Sequence, residues 1–378
     1  MKKIKIAVDI RDLHISKSGA NTYLVELCQE MKLGSETFDY HFFDTMLPVY
    51  TGKNKFLKAY EHFSFFVWKQ FTLPIKAALT GCKIVFCSDY FVPYFHIGFT
   101  TIPVFHDAFF WEFPTHYSKP WLWMFKIIGV SAARRSAFIV TVSRYSQMRI
   151  SELAEIEKEK IIPIYLAPKS MQLNQTKSHQ LINQRFTNLF SKKYILHVGT
   201  LEKRKNIGTL IDAFNWLINS GDQETQLVLV GQNSNKVFNN DLSLIEKINT
   251  DERLKSRIHM TGYVDNAELF EFYKNASIYV LPSINEGFGL PILEAFQFKI
   301  PVLIANASCL PEIAGNAALQ FEPFDAYQLF QTIQSVLSDP SKRNHLVQKG
   351  TEQLSRFSWK NHIVELEQVF IQSLQSKK

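Results

Sequence analysis

The chain has 378 residues, which is too long for one ordinary hydrophobic core and suits two domains. Hydrophobic residues make up 46% and charged residues 20%, the composition of a globular protein. The first residues alternate charged and apolar side chains, and the longest uncharged run, 90–106, contains Pro93, Gly98 and Pro103. These features exclude a signal peptide and a spanning helix, so we expect a soluble or peripheral protein.

The net charge of +7 is unevenly distributed along the chain. Residues 1–178 hold 22 Lys and Arg and 15 Asp and Glu, which leaves 42 − 22 = 20 and 35 − 15 = 20 for the rest. The excess predicts an anionic partner for the N-terminal half, either a membrane surface or a phosphorylated acceptor. Nucleic acid is not expected, because no binding motif or compact basic patch is present. The four cysteines form no C-x-x-C pair, which indicates reduced cytoplasmic thiols instead of disulfides or zinc.

The N-terminal half alternates short apolar runs with helical patterns. A predicted strand at 4–10 is followed by a loop containing Gly19 and a helix from an Asn21 N-cap to Met31. Further strands are predicted at 40–43, 84–87, 102–105 and 138–142. The alternation predicts a parallel, doubly wound α/β domain, although the dinucleotide fingerprint G-x-G-x-x-G is absent.

Two aromatic segments of this half are also basic. Apolar residues recur at helical spacing between Phe56 and Phe71, among several lysines, and a second cluster at 121–125 lies beside Lys119 and Lys126. The pattern favours two core-facing helices with solvated lysines, because surface helices are commonly amphipathic. The alternative is a patch that binds an anionic membrane.

His106 and Asp107 follow the predicted strand 102–105, at the edge where α/β sheets bind ligands. His106 is therefore a candidate site residue, with a purely structural role as the alternative. Asp107 is expected to fix the tautomer of His106 or to contact substrate.

The C-terminal half repeats the alternation after a polar stretch at 168–192. Strands are predicted at 194–198, 227–230, 258–261, 277–281 and 301–304, with helices at 207–218, 268–273 and 290–298 and from 327 onward. Lys203, Arg204 and Lys205 form a turn after the first of these strands, where cations suit a diphosphate. The alternative for this run is a solvated helix start.

The stretch N-E-G-F-G-L-P-I-L-E at 285–294 joins a strand to a helix. Two glycines form a tight turn, and the backbone N–H groups that open the helix can bind phosphate or sugar oxygens. Glu286 precedes the turn and Glu294 follows two helical turns on. An acidic side chain at each end of an amide-rich turn suits a ligand with a phosphate in the middle and hydroxyl groups at both ends, which describes a nucleotide sugar. The alternative is that Glu286 caps the helix and Glu294 is a solvated helix residue.

With these motifs, the chain resembles the retaining family 4 glycosyltransferases of GT-B fold, particularly bacterial mannosyltransferase-like members. The resemblance rests on E-G-F-G-L-P-I-L-E, V-G-T-L-E-K-R-K-N, G-Y-V and S-C-L-P-E-I-A-G, with weaker matches at D-I-R-D-L, F-H-D and T-V-S-R-Y-S. It implies two Rossmann-like domains facing a central cleft. The implied boundaries are 1–170 with a returning helix at about 358–378, 190–357, and a linker at 171–189.

The resemblance also implies roles for particular residues. Glu286 would hold the hydroxyls of the donor sugar, and Glu294 the ribose. The catalytic set would be Glu286, His106, Lys205 and Arg204, and the donor-binding set Gly19, Glu294, Phe288, Gly289, Leu290, Tyr263, Val264 and Ser283. Thr200, Lys299 and Asn316 depart from the residues common in the family.

The implied activity is transfer of a hexose, with retention, from a nucleotide sugar to a glycan or lipid-linked acceptor. Mannose from GDP-mannose is the favoured donor, with UDP- and dTDP-sugars open. Because the sequence contains no D-x-D motif, we expect no metal or other cofactor. A nucleotide-sugar epimerase, a phosphorylase and a non-catalytic binding module are the alternatives.

Overall fold

A computed structural model of the protein describes residues 2–15, 19–45, 47–52, 54–96, 98–170, 186, 188–231 and 242–375. The chain forms two compact units, one of Met1–Ala167 with Ser358–Lys378 and one of Pro168–Phe357. Most of the linker predicted at 171–189 lies outside the described residues.

The N-terminal unit is built on six parallel strands. Their spatial order is β2-β1-β3-β4-β5-β6. The strands are β1 Ile4–Asp9, β2 Phe38–Phe43, β3 Ile84–Cys87, β4 Thr100–Phe105, β5 Ile139–Thr141 and β6 Ile161–Pro163. The predicted parallel, doubly wound sheet is confirmed, and the winding reverses between β1 and β3. Ligands of such sheets bind where the strand order reverses.

Seven helices of the described residues cover this sheet before the chain leaves the unit. They are α1 Gly19–Lys32, α2 Lys55–Val67, α3 Leu73–Thr80, α4 Phe109–Glu112, α5 Lys119–Met124, α6 Val130–Arg135 and α7 Arg144–Ala154. The predicted N-cap at Asn21 is wrong, because Gly19 and Ala20 are already helical. The Asn21 amide donates to the carbonyl oxygens of Asp12 and Leu13, so it supports the preceding loop instead of capping the helix.

The prediction that the aromatic face of α2 points to the core is wrong. Phe56, Tyr60 and Phe63 are exposed, whereas Trp68 and Lys69, in the π-helical turn that joins α2 to α3, are buried. In the second aromatic cluster the prediction is partly confirmed, because Phe125 is buried and Trp121 packs on the core, but Trp123 is exposed.

Buried charges explain which side of α2 faces inward. The Lys69 ammonium lies 2.5 Å from both Asp9 and Asp89, and the Arg11 guanidinium pairs with Glu61. Burial raises the pKa of Asp89, and the charge of Lys69 opposes that shift. The ion pairs attach the polar side of the helix to the carboxyl ends of β1 and β3, so the apolar side faces outward.

The C-terminal unit is a second six-stranded parallel sheet, in the order β12-β11-β10-β7-β8-β9. Its strands are β7 Tyr194–Val198, β8 Gln226–Val230, β9 Ile258–Gly262, β10 Ile278–Leu281, β11 Val302–Ala305 and β12 Ala318–Phe321. Its longer helices among the described residues are α8 Ile207–Asn219, α9 Leu242–Thr250, α10 Glu252–Arg257, α11 Asn266–Lys274, α12 Leu290–Gln297, α13 Leu310–Ala314, α14 Ala326–Ser338 and α15 Pro340–Leu354. Here the winding reverses between β7 and β10, which are hydrogen-bonded neighbours.

The helix α16, Trp359–Gln375, belongs to the N-terminal unit. Its Phe370 ring packs edge-on against Phe38 and Phe86 at centroid distances of 5.7 and 5.8 Å. The Tyr40 hydroxyl donates to Glu367 at 2.6 Å. Side chains on β2 and β3 therefore depend on α16 for part of their packing.

All four cysteines are buried free thiols. Burial raises the pKa of Cys28 to about 11 and that of Cys87 well above its usual range, so these thiols pack as small, protonated side chains. Among the described helices, none combines the length and apolar character needed to cross a bilayer.

Candidate active site

Glu286 lies in the loop between β10 and α12, at the reversal of winding in the C-terminal sheet. The helix begins at Leu290 as predicted, and Gly289 at its N-cap has a φ of +89°. A Cβ on Gly289 would also lie 3.0 Å from the Leu310 side chain. The turn therefore requires glycine at this position.

Glu294 is buried in the second turn of α12. The prediction placed it two helical turns beyond Glu286, but residues 286–289 are not helical. Its Oε2 accepts a hydrogen bond from the Tyr273 hydroxyl at 2.7 Å. Burial raises the pKa of Glu294, against the opposing effect of that hydrogen bond. The alternative of a solvated helix residue is therefore wrong.

The basic turn after β7 contacts Glu286 directly. The Lys205 ammonium lies 2.5 Å from Oε1 of Glu286, and Nη1 of Arg204 lies 3.2 Å from its Oε2. Nε of Arg204 also pairs with Glu202 at 2.9 Å, and the Ile284 N–H donates to the Arg204 carbonyl at 2.9 Å. These contacts join the loop after β7 to the loop after β10.

The alternative of a solvated basic run fits only Lys203, which is exposed, because Lys205 is buried.

The ion pairs decide the ionisation of Glu286. Burial alone would raise its pKa, but the charges of Lys205 and Arg204 and the Lys205 hydrogen bond outweigh burial and lower it to about 2. Burial lowers the pKa of Lys205, and Glu286 opposes that shift. Glu286 is therefore a carboxylate at neutral pH, and it is held by cations instead of capping the helix, which has no side-chain cap.

Two of the three positive charges of this turn are balanced within the protein. Arg204 and Lys205 face Glu202 and Glu286, so the four side chains sum to zero. Within the described part of the chain, the Lys205 ammonium makes one hydrogen bond, to Glu286. Its further N–H donors can bind an anionic ligand without breaking that pair.

Sequence reasoning missed two residues that contact Glu286 and a histidine that joins β7 to β10 beneath it. The Ser308 hydroxyl accepts from the Glu286 N–H at 3.2 Å, and the Cys309 thiol donates to its carbonyl at 3.2 Å. His197, buried in β7, places Nδ1 3.0 Å from the Val280 carbonyl, and burial lowers its pKa to about 4. The sequence signals for these residues are the S-C-L-P stretch and a histidine within an apolar strand. Neither signal indicates which residue the side chain contacts.

The remaining donor-binding candidates of this unit lie along the same edge of the sheet. Tyr263 and Val264 directly follow β9, and the Tyr263 side chain is half exposed whereas Val264 is buried. Ser283 is buried beside Glu286, where its hydroxyl helps to lower the pKa of that carboxyl. The Phe288 ring packs against Phe357 at 6.1 Å.

His106 and Gly19 lie in the N-terminal unit. His106 follows β4, and its Nε2 lies 2.8 Å from the Ser88 carbonyl, so this nitrogen carries the proton. The tautomer is therefore set by Ser88, while Asp107 accepts a hydrogen bond from Tyr90. Burial lowers the pKa of His106 to about 4. Gly19 is exposed at the start of α1.

Comparison with known proteins shows the family to which this chain belongs. Residues 182–353, which include the basic turn and the Glu286 loop, match the family model described as Glycosyl transferases group 1. Over 262 residues the chain is 30% identical to O-antigen chain mannosyltransferase B of Escherichia coli, covering 69% of this chain and 67% of that protein. The chain is a group 1 glycosyl transferase.

Other relatives of this glycosyltransferase share part of their length with it. It is 25% identical over 228 residues to the serotype-specific mannosyltransferase WbdA of Escherichia coli, which covers 60% of this chain and 28% of WbdA. The chain therefore spans about a quarter of that relative. A solved structure of HepE from Anabaena, in complex with UDP, superposes with a TM-score of 0.67 at 16% identity, over 98% of this chain and 99% of that one. The predicted GT-B fold is confirmed.

Proposed function

We propose that this glycosyltransferase moves mannose from GDP-mannose, with retention, to a glycan or lipid-linked acceptor during synthesis of a cell-surface polysaccharide. The names of its mannosyltransferase relatives support the sugar. The observation that carries the chemistry is the buried Lys205–Glu286 pair where the winding of the sheet reverses. We place the enzyme in the cytoplasm, at the inner face of the plasma membrane, where a lipid-linked acceptor would reside.

The chemistry follows from where charge develops. Breaking the anomeric C–O bond places negative charge on the nucleotide diphosphate and positive charge on the sugar ring, so catalysis depends on stabilising that separation. Lys205, Arg204 and the N-terminus of α12 would stabilise the diphosphate. The Glu286 carboxylate would accept hydrogen bonds from sugar hydroxyls and orient the ring.

Glu294 suits a contact with the nucleoside. Tyr273 holds one carboxylate oxygen of Glu294 in place, and the side chain would present the other to the ribose hydroxyls. Tyr263 and Val264, at the end of β9, would line the base pocket. In this assignment Glu286 contacts the reacting sugar, and Glu294 contacts the nucleotide.

A thermal-shift screen of GDP-mannose, GDP, UDP-glucose and dTDP-rhamnose tests the proposed donor. A ligand at about a hundred times its dissociation constant adds about 2.7 kcal/mol to the free energy of unfolding, so GDP-mannose and GDP are expected to raise the melting temperature and the others are not. Stabilisation by a UDP- or dTDP-sugar alone would show that the donor carries that nucleotide instead of GDP. Failure of every nucleotide to stabilise the protein would contradict the proposed function.

Transfer is expected to persist in excess EDTA, because the leaving group would be stabilised by cationic side chains and a helix N-terminus. Among the described residues, the one group of side chains with metal-ligand spacing is Asp9, Cys87 and Asp89 in the N-terminal unit. The Lys69 ammonium already lies between its two carboxylates. Loss of transfer in EDTA with recovery on adding Mg²⁺ would contradict this account.

A further inference from the structure

The helical run from α2 to α3 exposes a row of large apolar side chains. We call this row the outer stripe, and its members and exposed fractions are Phe56 88%, Tyr60 51%, Phe63 65%, Phe71 55%, Ile75 57% and Leu79 83%. At about 200 Å² for a fully exposed large side chain, these six residues leave roughly 800 Å² of apolar surface in water. The largest apolar patch on a typical monomer is about 300–600 Å², so the size of the outer stripe indicates an interaction surface.

The outer stripe is held outward by the packing of the opposite side. Lys69 is tied to Asp9 and Asp89, and Glu61 to Arg11, so the helix cannot rotate its apolar side into the core without breaking buried ion pairs. Between Phe63 and Leu79 the apolar positions recur every four residues, with the partly buried Val67 between Phe63 and Phe71. The π-helical turn Trp68–Thr72 holds more residues than an α-helical turn, which keeps this spacing on one side.

The charges around the outer stripe indicate what covers it. The only carboxylate between residues 55 and 80 is Glu61, which is directed inward to Arg11. Lys58 is exposed on the same helix. The run Lys119–Arg135, which packs on the same core through Trp121, has no carboxylate either and exposes Trp123 and Lys126.

We propose that the outer stripe docks the N-terminal unit onto an anionic lipid surface. The helix would lie in the plane of the membrane, with its aromatic and aliphatic side chains at the boundary of headgroups and acyl chains. The exposed lysines of this unit, Lys58 and Lys126, would add electrostatic attraction to the anionic lipids. A second copy of the chain fits less well, because a symmetric interface would bring two Lys58-bearing helices together without a carboxylate on either exposed side. This docking does not depend on the identity of the sugar donor.

Sedimentation of the full chain with vesicles tests the proposal. The wild type is expected to bind vesicles of phosphatidylglycerol and phosphatidylcholine, and to bind pure phosphatidylcholine more weakly. The variant Phe56→Asp, Phe63→Asp, Leu79→Asp should bind the anionic vesicles at least about tenfold more weakly. Leu33→Asp is the matched control, because Leu33 is 79% exposed in the same unit but lies outside the outer stripe, and it should bind like the wild type.

The charge contribution is tested separately with Lys58→Glu, which leaves the apolar side chains intact. It should weaken binding to the anionic vesicles and leave binding to neutral vesicles unchanged. Equal failure of the wild type on both vesicles, or unchanged binding by the triple variant, overturns the proposal. So does a wild type that elutes as a dimer and a triple variant that elutes as a monomer, since a second copy then covers the stripe. Melting temperatures confirm that each variant is folded, and thermal shifts with GDP report the nucleotide site independently.

Discussion

Glu286→Gln is expected to lower the transfer rate at least about a hundredfold, the usual effect of removing one group that stabilises a developing charge. The pKa of about 2 means that the wild-type side chain is fully ionised, so the substitution removes a charge at nearly constant shape. Binding of GDP should not weaken, because Lys205 and Arg204 lose their carboxylate partner and remain available to the diphosphate. Calorimetry with GDP, run beside a transfer assay, measures both quantities.

Glu294→Gln is the matched comparison for that experiment. Glu294 is buried, accepts a hydrogen bond from Tyr273 and is assigned to the ribose, so its loss should weaken GDP binding and affect transfer mainly through that affinity. Contacts made equally in the ground and transition states change binding, whereas contacts made only in the transition state change turnover. If Glu286→Gln loses GDP affinity and Glu294→Gln keeps it, the two roles are reversed.

Lys205→Ala is expected to lower turnover at least about tenfold, since a charge-assisted contact with the leaving group contributes about 1.5 kcal/mol or more. Lys203→Ala is a close control, because Lys203 lies in the same turn but is exposed. It should transfer at nearly the wild-type rate. Equal turnover of Lys205→Ala and the wild type would contradict the assignment of Lys205.

Stability has to be measured beside that assay. The motif alone suggests that Lys205→Ala leaves the fold intact, but the structure shows that it removes one partner of a buried ion pair. Such a loss typically costs about 3–5 kcal/mol, although Arg204 still faces Glu286 here. The double variant Lys205→Ala, Glu286→Gln should recover part of the melting temperature without recovering activity. That result would separate loss of chemistry from loss of fold.

Most of the central strands could be predicted because buried parallel strands are continuous apolar runs. Tyr194–Val198 and Ile84–Cys87 were located to the residue. Two strands at the sheet edges, Ile161–Pro163 and Ala318–Phe321, were not predicted, because they are short and include a proline or a glutamine. A short run of mixed polarity carries no periodic signal that separates it from a loop.

Long-range charge pairs explain the main errors. The orientation of α2 depends on Asp9 and Asp89, which lie far from Lys69 in the sequence, so helical spacing alone assigned the wrong side to the core. In the site, local motifs identified Glu286 and Lys205 as candidates. Their contact joins residues about eighty positions apart, and only the neighbouring positions of β7 and β10 bring them together.

The position of α16 affects how the N-terminal unit can form during synthesis. The ribosome makes residues 168–357 between the first part of this unit and the helix that packs on Phe38 and Phe86. At about 5–20 residues per second, those strands wait on the order of 10–40 s for their partner. During that interval the emerging chain carries uncovered aromatic surface, so chaperone binding at this stage would protect it, and the unit closes only after its neighbour has been translated.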